Sequence, residues 1–183
     1  GAGWYDQGQN PELTAPEQVE HEGKTYFFDG WEVDGAPVTG NPINVLMNQA
    51  RTATAKYVAG ITVKVTTNRE GETTVKIDGA EFEAPHTTTW KPGNSHTIGI
   101  DSPQSAGAGK QYIFDSWSDG GEQTHQVSPT TDTIYTATLK TQYYLTVNTD
   151  PAGLPVIPGA GWYDQGQNPE LTAPEQVEHE GKT

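Results

Sequence analysis

Apolar and polar residues alternate along most of this chain with a period of two. Residues 61–66 (Ile-Thr-Val-Lys-Val-Thr) and 143–148 (Tyr-Tyr-Leu-Thr-Val-Asn) follow that pattern. It predicts half-buried strands that point every second side chain into a core. Residues 51–58 and 133–140 alternate in the same way, so each long stretch has a strand that opens it and one that closes it. Between these lie shorter candidates at 11–14 and 95–100, then a Tyr-x-Phe-x-x-Trp strand ending at Trp31 or Trp117, then 43–47 and 124–127. Turns are signalled by Asn10-Pro11, Asn41-Pro42, Lys91-Pro92-Gly93 and Asp150-Pro151-Ala152-Gly153. No segment carries a sustained helical period; 17–22 is too short, and Pro16 precedes it. The expected fold class is therefore all-β, with tandem small β-sandwich or grasp-like modules in an elongated array.

The order of the strands repeats because the sequence does. Residues 1–25, GAGWYDQGQNPELTAPEQVEHEGKT, recur without a change at 159–183, an interval of 158 residues. Fold alone does not require solvent-facing positions such as Gln7, Gln9 and Glu20 to be identical, so the identity indicates a recent tandem duplication. An older repeat lies inside the first. Gly23-Lys24-Thr25-Tyr26-Phe27-Phe28-Asp29-Gly30-Trp31 matches Gly109-Lys110-Gln111-Tyr112-Ile113-Phe114-Asp115-Ser116-Trp117, and Asp-Gly follows each (Asp34-Gly35, Asp119-Gly120).

Each repeat then holds two diverged modules. Residues 1–59 form a first β-module lacking its opening strand, and 60–141 a second, complete one. Residues 142–183 form the first half of the next copy of module one. The two-residue links Ala59-Gly60 and Thr141-Gln142 leave little room for independent tumbling. This arrangement implies head-to-tail continuity, within a longer covalent chain or by donation of a terminal strand between copies. Residues 159–183 are then expected to adopt the conformation of 1–25.

Composition narrows the function classes. Ten Lys+Arg against 24 Asp+Glu give a formal net charge of −14 and a pI near 4.5. Such a chain repels nucleic acid and anionic membrane surfaces, and neighbouring copies repel one another. Cysteine is absent, which removes disulfides, thiolate metal sites and a cysteine nucleophile. Apolar residues make up only 32%, offset by 5 Trp, 8 Tyr and 4 Phe, each able to bury ~150–250 Å². No apolar run approaches the ~20 residues of a membrane span, and the start Gly1-Ala2-Gly3-Trp4 does not read as a secretory signal.

Candidate chemistry is sparse. Trp31 and Trp117, beside Phe28 and Phe114, read as core anchors or as platforms for a sugar. Trp4 and Tyr5, with their copies Trp162 and Tyr163, lie in Gly-rich sequence suited to exposure or to a contact between modules. Asp115, Asp119 and Glu122 could offer hard oxygen ligands to calcium, but their spacing is not that of a calcium loop; Asp29 and Asp34 lack a third acid. His21, His86, His96, His125 and His179 show no metal-binding spacing. Lys64 and Asn44 are of the residue types that form amide crosslinks in surface β-domains. No nucleophile elbow, phosphate-binding loop or dinucleotide fingerprint occurs. The expectation is a non-enzyme with no catalytic residues, cofactor or metal.

Trp4-Tyr5-Asp6-x-Gly8, the Gly-Lys-x-Tyr-x-Phe-Asp-x-Trp segment and Lys140-Thr141-Gln142-Tyr143-Tyr144-Leu145-Thr146-Val147 together resemble the divergent internalin-B-type repeat modules of large bacterial and archaeal surface proteins. The second module departs from the pattern, with 80–83 or 89–91 where the first has Gly3-Trp4-Tyr5-Asp6. The resemblance implies extracellular or cell-surface display in tandem arrays and implies no reaction. The expected role is a spacer, stalk or fibre subunit whose partners are identical copies of itself, head to tail. The alternative is an adhesin-type module that recognises a glycan or protein through exposed aromatic or acidic loops. Neither nucleic acid nor membrane insertion is expected.

Overall fold

The computed structural model describes residues 3–150, 152, 154 and 157–175. The fold is all-β, and among the described residues no helix is long and apolar enough to cross a membrane. In chain order the strands are β1 (Glu12–Leu13), β2 (Gln18–His21), β3 (Lys24–Val33), β4 (Ala36–Val38), β5 (Ile43–Asn44) and β6 (Ala53–Ala59). There follow β7 (Ile61–Thr67), β8 (Thr74–Ile77), β9 (Ala80–Glu83), β10 (His86–Trp90) and β11 (His96–Gly99). The last are β12 (Gln104–Ser105), β13 (Lys110–Trp117), β14 (Thr124–Val127), β15 (Thr133–Leu145) and β16 (Gly161–Asp164).

They form four sheets: β1-β5; β2-β3-β4 with β6 on β3; β14-β11-β8-β9; and β10-β7-β15-β13-β12 with β16 on β15. The chain divides into two compact units. One is Gly1–Val63 with Thr87–Ser95 and Ser128–Thr133; the other is Lys64–His86 with His96–Val127 and Ile134–Thr183.

In the first unit β3 is the central strand, antiparallel to β2, β4 and β6. Its alternation puts Trp31 in a core with Ala15, Ile43 and Val45. Phe28 meets Trp31 edge-on at 6.0 Å and Tyr57 at 5.8 Å, which closes the core beneath β6. A bulge between Phe28 and Gly30 leaves Asp29 unmatched, and its carboxylate takes Lys91 Nζ at 3.0 Å. The β3–β4 turn is pinned by Asp34, which accepts from Thr52 N–H and from Arg51 Nη1, both at 2.8 Å.

The second unit repeats this plan. β13 pairs antiparallel with β15, and the register breaks between Phe114 and Ser116, the position equivalent to Asp29. Val65, Val75, Ile98, Ile100, Tyr112, Trp117 and Ala137 are buried.

The chain departs from the sequence expectation at the end of β15. Strands were expected at 133–140 and 143–148 with a two-residue link. Instead β15 runs unbroken to Leu145, because Gln142 and Tyr143 keep pairing with Gln111 and Lys110. Thr141 is buried within the strand rather than exposed in a link. The corresponding break after β6 does form: Gly60 N–H turns to Thr25 O at 2.9 Å and β7 begins at Ile61. The β8 strand had no clear alternation to announce it.

Candidate functional site

The residues singled out from the sequence are dispersed rather than gathered. Trp31 and Trp117 are 8% and 3% exposed, so neither ring face is open to a sugar. Each instead anchors a polar plug beneath it. Asn41 accepts from Ala15 N–H at 2.9 Å, donates to Ala15 O at 2.7 Å and faces Trp31 Nε1 at 3.5 Å. In the second unit Gln123 does the same work: its side-chain amide donates to Ile100 O at 2.8 Å, while its backbone carbonyl accepts from Trp117 Nε1 at 3.2 Å. Sequence reading missed both, because the two residues differ and sit beside turns.

The acidic candidates separate. Asp115 is paired with Lys140. Asp119 takes His125 Nε2 at 2.9 Å and Gly121 N–H at 3.1 Å, and Glu122 contributes its backbone oxygen to His125 Nδ1 at 2.7 Å. Burial opposes ionisation of Asp119, but the His125 and Gly121 hydrogen bonds overcome it and leave its pKa below the usual value. Among the described residues, no group of three His, Cys, Asp or Glu side chains could hold a metal ion.

Asp78 accepts from His96 at 2.7 Å and from Thr97 N–H at 2.8 Å, which lowers its pKa in that order of importance. His86 stacks on Phe82, with ring centroids 3.9 Å apart, and His179 lies outside the described residues. Lys64 Nζ pairs with Glu70 at 2.9 Å.

One cluster had no sequence signal. The Tyr112 hydroxyl donates to Glu72, with Lys110 Nζ 4.8 Å and Arg69 5.4 Å from the ring centroid. The Tyr112 hydrogen bond, followed by Lys110 and Arg69 against opposing desolvation, holds the Glu72 pKa below its ordinary value. Its partners come from β13 and the β7–β8 loop, far apart in sequence. Lys110 Nζ donates to the Tyr112 hydroxyl at 2.8 Å and Arg69 Nη2 to Thr141 Oγ1 at 3.0 Å, while the buried Arg69 Nε has no hydrogen-bond partner. The arrangement ties the β7–β8 loop to β13.

The distinctive feature is the contrast between the two copies of the repeated sequence. Both contain the same turn. Asp6 N–H donates to Gln9 Oε1 at 2.7 Å and Gln9 N–H to Asp6 O at 3.1 Å; the equivalents at Asp164 and Gln167 are 2.7 and 2.9 Å. Gly8 and Gly166 carry φ values of 86° and 91°, which suit glycine.

The flanking residues differ. Gly161–Asp164 is a strand on β15, pairing Tyr163 with Tyr143 and Trp162 with Tyr144. Trp162 meets the Tyr144 ring edge-on at 5.3 Å, and Gln142 Nε2 donates to Asp164 at 2.7 Å. The same residues at Gly3–Asp6 form no strand, and Trp4 is 103% exposed against 40% for Trp162. The expectation of one conformation for both copies therefore holds for the turn and fails on both sides of it: 161–164 is a strand and 3–6 is not, whereas Glu12–Leu13 is a strand and 170–171 is not; 176–183 lie outside the described residues. The reason is the partner: β15 offers its edge to the second copy, and no described strand does so for the first.

No family model, curated protein or solved structure matches the chain.

Proposed function

We propose that the chain is a non-enzymatic structural repeat of an extracellular surface protein or filament, a spacer or fibre subunit joined head to tail. The observation that carries this reading is the restart of the repeat: 25 residues recur unchanged after 158, and the recurring segment begins by pairing with the end of β15. A repeat that docks the start of its successor onto its own last strand is suited to unlimited propagation, since a heterologous contact closes only if its rotation happens to close. The strongly acidic surface keeps such copies from collapsing on one another side by side. Display outside the cell follows from the likeness of the repeated segments to surface-protein modules.

Concatemers of one, two and four repeats provide the test. Small-angle scattering is expected to give a maximum dimension that rises by a constant increment per repeat, without any enzymatic or metal requirement. Concatemers that stay equally compact as repeats are added would refute the spacer reading.

A further inference from the structure

The two modules differ in what flanks the closing strand. In the complete module the closing strand β15 has a neighbour on each edge, β13 and β7. Its counterpart β6 has β3 on one edge, and among the described residues nothing pairs with the other. The equivalence is fixed by register: Phe28 and Trp31 oppose Tyr57 and Ala55 as Phe114 and Trp117 oppose Leu139 and Ala137. Thr52 directs its N–H and its C=O to Asp34. By strand alternation Ala53, Ala55 and Tyr57 direct theirs to the open edge. These three are half-buried, whereas their equivalents Tyr135, Ala137 and Leu139 are 7%, 0% and 3% exposed. Beside the open edge lies a cleft of about 420 Å³ between Tyr5 and Ala53, floored by Trp31 and Val45.

The complete module shows what fills the equivalent place. β7 runs in the same direction as β15: Thr62 N–H donates to Asp132 Oδ1 at 2.7 Å and, further along, Asn68 N–H to Ala137 O at 3.0 Å, while Asn68 Oδ1 accepts from Leu139 N–H at 3.0 Å. Val63 and Val65 of β7 are fully buried. Residues 143–150 match 61–68, with Leu145 for Val63, Val147 for Val65 and Asp150 for Asn68. Beyond Leu145 this segment forms no strand, and Leu145 and Val147 are only half-buried.

Resting on the head-to-tail reading above, we infer that the open edge of β6 is the seat of residues 146–150 of a second copy of this chain, added as a parallel strand. Leu145 and Val147 of the incoming copy enter the cleft over Trp31, and its Asp150 carboxylate accepts from Tyr57 N–H as Asn68 does from Leu139. The incoming strand lies between β6 and Gly3–Asp6, as β7 lies between β15 and β10. Gly3–Asp6 then takes the place that Gly161–Asp164 holds on Tyr143–Leu145, and Trp4 becomes covered as Trp162 is. The exchange costs no pairing, because the two segments are identical in sequence. Recognition is by main-chain hydrogen bonds, with alternate side chains giving specificity.

The register places residue 148 of one copy opposite 54 of the next, both exposed, and the chain has no cysteine of its own. Thr54→Cys and Asn148→Cys variants of the full chain are mixed and mildly oxidised, with Thr54→Cys plus Glu122→Cys as the measure of chance collision. The 54–148 disulfide is expected at roughly tenfold or more over that background, since a seated strand raises the local concentration of its thiol. A yield equal to background overturns the strand placement. If sedimentation still shows the chains associating, the head-to-tail reading survives that failure; if they do not associate, it falls too. As a second readout, a peptide of residues 142–150 is expected to slow amide exchange at Ala53, Ala55 and Tyr57. The same peptide with Leu145→Asp and Val147→Asp is expected to leave those amides unprotected. Protection by both peptides alike, or by neither, refutes the inference.

Discussion

Replacing Asn41 by alanine isolates the plug beneath Trp31. Asn41 satisfies both the N–H and the C=O of Ala15, whose residue is 4% exposed. Each buried group left without a partner costs about 1–3 kcal/mol. The third bond, to Glu17, is exposed and adds little. Asn41→Ala is therefore expected to destabilise the first unit by roughly 2–4 kcal/mol, with losses at the two groups not fully additive. Gln123→Ala is the internal control. It removes one side-chain bond, to Ile100 O, while the backbone carbonyl of residue 123 still serves Trp117. Its expected cost is about 1 kcal/mol. With a urea dependence of about 2 kcal/mol per molar, Asn41→Ala should lower the midpoint of the first unit by roughly 1–2 M, and Gln123→Ala that of the second by about 0.5 M. Tryptophan fluorescence can follow both transitions, because Trp31 and Trp117 are buried in different units. A midpoint shift for Asn41→Ala no larger than that for Gln123→Ala would refute the account of the plug.

Gly60→Ala should cost about 1–3 kcal/mol in denaturant unfolding, because its Cβ would lie 2.5 Å from Thr89 Cγ2 and 2.8 Å from Phe27 Cε2; adding Thr89→Ala should recover part of the loss. Asp78 has a folded pKa below its ordinary value of 3.8, so its contribution is full above that pH and is lost as pH falls through the lower folded value. Carboxyl NMR titration should show this, and Asp78→Asn should flatten the stability curve only below about pH 4. Trp4→Ala should leave stability within about 0.5 kcal/mol, whereas Trp162→Ala should lose the Tyr144 contact, worth about 0.5–1.5 kcal/mol; equal effects in thermal unfolding would contradict the asymmetry of the two copies. Because the chain carries a net charge of −14, the head-to-tail association proposed above should strengthen in sedimentation as salt rises.

How much of this was legible in the sequence can be read element by element. The period-two alternation of 61–66 and 133–140 determined strands there, since only one register buries Val63, Val65, Ala137 and Leu139 together. The Asp-Gln-Gly-Gln turn was equally local: a side-chain amide three residues on and a glycine at positive φ make it in both copies, whatever surrounds it. The repeated Tyr-x-Phe-x-x-Trp strand announced two related modules, and both show the bulge after its phenylalanine.

What the sequence left open depends on partners distant along the chain. Asn41 and Gln123 reach Ala15 and Ile100, 26 and 23 residues away, so nothing nearby marks them as equivalent. The missing break at Thr141-Gln142 was decided by Lys110 and Gln111, which continue to pair with β15. The clearest case is Gly-Trp-Tyr-Asp: one sequence, a strand at 161–164 and none at 3–6. A strand's backbone groups are satisfied by another strand and not by their own neighbours, so identical residues take different structures where only one is offered an edge.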